Sequence, residues 1–123
     1  MKTLVIIACL LTISYAADPE KLKAFYNNYQ TCLDTLSAPE WTAPVMKCML
    51  QNMELIDDEG IIKKDELLTG FEKIISDEGN LNQAKTLVSS CYEQGYEGDG
   101  SNDEKTMMII QCAINVKDLF DKP

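Results

Sequence analysis

Apolar residues recur at spacings of three and four in five stretches of the chain, the period of a helix with one face turned inward. Leu22, Phe25, Tyr26, Tyr29, Cys32, Leu33 and Leu36 form the first stripe, about four turns long. Asp18-Pro19 predicts its start, an N-cap with proline at the first helical position. Ala38-Pro39 predicts its end, because a residue before proline avoids the helical region. Residues 38–44, APEWTAP, hold two prolines and the only tryptophan, and read as a connector. Val45, Met46, Met49, Leu50 and Met53, with Cys48 among them, predict a second helix over about 44–55, broken at Asp57-Asp58-Glu59-Gly60. Leu67, Leu68, Phe71, Ile74 and Ile75 predict a third over about 63–76. Leu81, Ala84, Leu87, Val88, Cys91 and Tyr92 predict a fourth over about 81–94, with Gly95 as its C-terminal cap.

Ser101-Asn102-Asp103-Glu104 announces the last helix as a capping box. It continues through Met107, Met108, Ile109, Ile110, Cys112, Ala113, Ile114, Val116, Leu119 and Phe120. Between 107 and 114 only Gln111 is polar. A helix apolar almost all round is surrounded by protein, so this one is expected at the centre. Strand patterns of useful length do not occur. The expected fold is all-α, a compact bundle of about five to six helices.

The first sixteen residues, MKTLVIIACLLTISYA, change the picture. Lys2, an apolar run and a small-residue end are the three parts of a secretory signal peptide. Residues 1–16 are assigned to that leader and 17–123 to one helical domain, secreted and extracellular. Cys9 leaves with the leader. Cys32, Cys48, Cys91 and Cys112 remain, an even set that reads as two disulfides in a small exported chain. Joined to its sequence neighbour, each would tie helix to helix and contribute ~3 kcal/mol by loop closure in the chain-entropy view.

The chain has no histidine and no arginine. No Ser-His-Asp or Cys-His nucleophile can be assembled, and no imidazole zinc site. The net charge of −9 becomes one unit more negative when Lys2 departs. Such a surface repels nucleic acid and anionic lipid. No enzyme activity and no cofactor are expected. A carboxylate-only hydrolase would need two acids facing one cleft, and no spacing singles out a pair.

Two metal patterns were tested by position. Counting Asp99 as the first calcium ligand places Glu104 where glycine is required and Ile110 where a bidentate acid is required. With Gly60 sixth, the first ligand would be Leu55. The cysteines contain no C-x-x-C pair, which a four-cysteine zinc site normally has. No metal is expected.

A disulfide-held helical shell tolerates an internal apolar cavity better than a marginal core does, since a void costs stability. Met46, Met49, Met53, Met107 and Met108 suit a wall that meets varied apolar shapes, because methionine is flexible and polarizable. Phe25, Tyr29, Leu50, Phe71, Ile75, Leu87, Val88, Ile110, Ile114 and Phe120 stand beside them as candidate lining. Tyr29 and Gln111 are the polar groups chosen to orient a ligand there. Methionine also fills ordinary cores, and periodicity does not distinguish the two.

These features resemble the insect odorant-binding proteins of the general and pheromone-binding superfamily. The residues that carry the resemblance are Cys48-Met49-Leu50 on a helix, then "LIDDEGIIKKDEL", "LVSSC" and "IIQC". That family usually has six cysteines. Pro44, four before Cys48, and Asp103, nine before Cys112, stand where its second and fifth would be. Those two pair with each other in the family, so the chain is similar to its reduced four-cysteine, "Minus-C" branch. The resemblance implies Cys32–Cys48 and Cys91–Cys112 pairing. The segment from Cys32 to Cys48 is shorter than the family's, which removes part of one cavity wall.

The resemblance implies a soluble carrier of small apolar molecules such as odorants, pheromones or fatty compounds, driven by apolar burial. Expected partners are that ligand and a membrane receptor or a second copy, with no nucleic acid and no membrane insertion. The competing expectation is a secreted venom or salivary type of protein on the same scaffold, acting through its surface with little or no cavity.

Overall fold

A computed structural model of the chain describes residues 18–122. The leader, its boundary at residue 16 and Cys9 lie outside the described residues. Five α-helices follow one another: α1 Pro19–Leu36, α2 Ala43–Asn52, α3 Lys64–Ile74, α4 Glu78–Glu97 and α5 Asn102–Cys112. A 3-10 helix, Ile114–Leu119, ends the fold. The fold is all-α, with one isolated antiparallel bridge between Ile56 and Ile62.

The helix starts obey local chemistry. Asp18 Oδ1 accepts the N–H groups of Glu20 and Lys21 at 3.0 and 3.3 Å, and Pro19 follows where its missing N–H costs nothing. Thr42, Asp77 and Ser101 cap α2, α4 and α5 in the same way. Helix α1 stops at Ser37, held in the left-handed region at φ 51°. Asp57 Oδ1 accepts the N–H groups of Glu59 and Ile61, so the acidic break spends its carboxylate on its own backbone.

Disulfides Cys32–Cys48 and Cys91–Cys112 join α1 to α2 and α4 to α5. The two staples follow sequence neighbours, as expected. Helix α4 packs on α3, α5 and the 3-10 helix, while α2 packs on α1 and α5.

Three expectations are corrected. Helix α4 does not end at Gly95; it runs to Glu97, and Gly95 is buried inside it. A β-carbon on Gly95 would overlap Ile109 Cγ1 and stand 2.7 Å from its Cδ1. The glycine is there for close helix approach, not for a cap. The last helix is not central. Its inward face is Thr106, Ile109, Ile110 and Ala113, while Met108 is 61% exposed. It also breaks after Cys112, so Ile114 to Leu119 follow a tighter 3-10 path.

Thr106 is a buried polar residue at 1% exposure, and its bonds can be directed. Its hydroxyl must donate to Gly60 O, a carbonyl that only accepts. The Tyr96 hydroxyl therefore donates to Thr106 Oγ1, and Ile62 N–H donates to Tyr96. The chain Ile62, Tyr96, Thr106, Gly60 clamps the turn after α2 onto both helices of the second staple.

Gly95→Ala should cost about 1–3 kcal/mol despite the better helix propensity of alanine, because Ile109 has no room to retreat. Combined with Ile109→Ala, the loss should be smaller than the sum of the two single losses in a denaturant melt.

Candidate functional site

The chosen wall residues divide into three groups. Phe25, Met46, Met49, Leu50, Phe71, Ile75, Val88, Ile110 and Phe120 belong to one continuous buried cluster. Tyr29, Leu87 and Ile114 are half-buried against it, and Met107 is half-buried on α5. Met53 and Gln111 are exposed.

The outliers have local causes. Met53 is the residue after α2, where the chain turns away through Glu54 at φ 59°. Gln111 lies opposite the inward face of α5, beside Met108, so it does not reach the interior. Leu87 borders a shallow depression with Asn82, Gln83, Thr86 and Ser90 on the outer side of α4. Tyr29 sits at the rim of the cluster, with the Lys117 ammonium 5.4 Å from its ring centre.

Within the cluster Phe120 meets three other aromatic rings. Its ring lies 5.0 Å from Phe25 and 6.3 Å from Trp41, nearly perpendicular to both, and 5.6 Å from Phe71 at a tilt of 50°. Edge-to-face contacts of this kind favour fixed positions over a loose stack. Phe120 itself is 6% exposed.

Backbone bonds hold it there. Asp121 N–H donates to Ile74 O at 3.1 Å, and Ser76 N–H donates to Asp121 Oδ1 at 3.0 Å. The Tyr26 hydroxyl donates to Asp121 O at 2.5 Å. Asp18 N–H donates to Lys73 O at 2.9 Å. The last carbonyls of α3, which have no partner within the helix, thus bind both ends of the described chain. Burial, then the Asp121 carboxylate and Tyr29, push the Tyr26 phenol above its usual value.

Trp41, in the connector between α1 and α2, reaches the core. Its Nε1–H donates to Ile114 O at 2.9 Å, and its ring meets Tyr29 at 5.7 Å. The signal in the sequence was a lone tryptophan between Pro39 and Pro44, the kind of residue that closes a rigid loop onto a core. Tyr96 and Thr106 carried no such signal, since one polar residue in a helical stripe looks like any other.

Outside the core, Lys47, Gln51, Ile56, Asp57, Asp58, Glu59, Gly60 and Asp103 border a polar depression of about 340 Å³. Lys47 lies on α2 and Asp103 in the first turn of α5, so the depression runs between these two helices. Among the described residues, no group of three or more acids or cysteines is placed to hold a metal. Among them also, no helix is long and apolar enough to cross a membrane.

Two helix-pair staples around an aromatic-centred interior define a small disulfide-held helical domain. Comparison with known proteins gives its family. The sequence profile of the ant venom allergen Sol i 2 family matches residues 35–117, and the chain belongs to that family. It is 26% identical over 124 residues to Venom allergen 4 of Solenopsis geminata, covering 93% of this chain and 90% of that one.

Tyr26 supplies a pH test. A raised phenol keeps its stability contribution below the ordinary tyrosine value near 10 and loses it as pH rises through the higher folded value. Thermal melts between about pH 8 and pH 11 should therefore fall more steeply for the natural chain than for Tyr26→Phe.

Proposed function

We propose that the chain is a secreted, venom-type protein that acts through its acidic outer surface, on a core filled by its own side chains. The observation that carries this reading is Phe120. Its ring lies 5.0–6.3 Å from the rings of Phe25, Phe71 and Trp41, among the residues expected to wall a pocket. Membership of the ant venom allergen family and similarity to Venom allergen 4 support the venom-type assignment. The signal-like first sixteen residues support export. Catalysis has no part in this proposal, and neither has a cofactor. A receptor or a second copy is the kind of partner such a surface would engage.

Carriage of a small apolar molecule, the function implied by the odorant-binding resemblance, is the second reading. It is favoured by the convergence of Met46, Met49, Leu50, Ile75, Val88 and Ile110 in one apolar cluster. A ligand would then have to take the place of Phe120.

A fluorescent naphthylamine probe separates the two. The natural chain should give no saturable fluorescence gain at micromolar probe. Phe120→Ala should lose about 3–5 kcal/mol of stability and acquire probe binding, because the vacated space is lined by apolar atoms. Saturable binding by the natural chain, displaced by a fatty alcohol, would overturn the filled-core reading and support carriage.

A further inference from the structure

We propose that Asp99 is a site of spontaneous covalent modification, where the peptide link to Gly100 rearranges to isoaspartate. The chain contains six glycines, and Gly100 alone follows an aspartate or asparagine. The pair lies in the bend between α4 and α5, and both residues are exposed. Among the described residues, the Asp99 carboxylate accepts no hydrogen bond and the Gly100 N–H donates none. Gly100 sits at φ 124°, a conformation that a residue with a β-carbon rarely adopts.

The other aspartates are held differently. Asp18, Asp57 and Asp77 accept backbone N–H groups, Asp34 accepts the Gln30 amide and Asp121 accepts Ser76 N–H. Asp58, Asp65, Asp103 and Asp118 are followed by Glu59, Glu66, Glu104 and Leu119, whose side chains hinder attack by the backbone nitrogen.

The chemistry balances without a co-reactant. The Gly100 nitrogen attacks Cγ of protonated Asp99, a C–N bond forms, and one water leaves with the carboxyl oxygen and the amide proton. Water then opens the five-membered succinimide. Attack at the main-chain carbonyl leaves the backbone running through Cβ and Cγ, with no net change in mass. The bend can absorb the extra backbone atom, because the Cys91–Cys112 disulfide and the Ser101 cap hold the helices on either side. The product is a folded second form of the same mass.

The test is incubation of the intact, oxidised protein for several weeks at warm, mildly acidic to neutral conditions. Isoaspartate is then located by protein isoaspartyl methyltransferase labelling and electron-based fragmentation. The proposal expects roughly tenfold more isoaspartate at position 99 than at any other aspartate, since only this one precedes a glycine. Asp99→Glu should abolish the signal with an unchanged melting curve, because a six-membered ring closes far more slowly. Labelling spread evenly over the aspartates would overturn the proposal. So would absence at Asp99 while a free peptide spanning residues 97–103 converts, since the fold would then protect the bond.

Discussion

The edge-to-face seat of Phe120 is the contact on which the rest of the structure depends. Its ring meets Phe25 of α1, Phe71 of α3 and Trp41 of the connector. The seat works because the residues on either side are pinned by backbone. Phe120 N–H returns to Lys117 O, and Asp121 is bonded from Ile74, Ser76 and Tyr26. Burying a phenylalanine in an irregular segment costs conformational freedom, and these bonds share that cost among several residues.

The second half of the molecule rests on a different device. Helices α4 and α5 approach so closely that Ile109 fills the space a side chain at Gly95 would need. The disulfide one turn away sets the same spacing covalently. Close packing then makes burial of Thr106 affordable only if its hydroxyl is fully bonded. The directed chain through Tyr96 satisfies that demand and carries the effect to the turn at Gly60. A covalent link, a steric fit and a polar relay therefore act on one helix pair.

The charge of the chain is spent almost entirely outside this core. Acids cap helices, close the 57–61 turn or face solvent. Among the described residues one ion pair, Lys85 with Glu72 at 2.8 Å, links α3 to α4, and it lowers the Glu72 carboxyl. An exposed pair of this kind adds little to stability. The acidic surface therefore adds little to what holds the fold together.

Local chemistry was legible in the sequence by itself. It determined the helical class, the starts of α1 and α5, the turn at Asp57 and the two-disulfide framework, because caps, prolines, periodicity and cysteine parity act over a few residues. It also determined most of the interior, since an apolar stripe at helical spacing has one face to bury. Tertiary structure alone decided the rest. Met53 and Gln111 face out because helix ends and neighbouring faces, not composition, choose which apolar residues meet. Gly95 is a contact rather than a cap because the meaning of a glycine depends on what approaches it. Phe120 joins Phe25, Phe71 and Trp41 because distant backbone partners hold Asp121 beside it, and no pattern along the chain encodes which side chains meet.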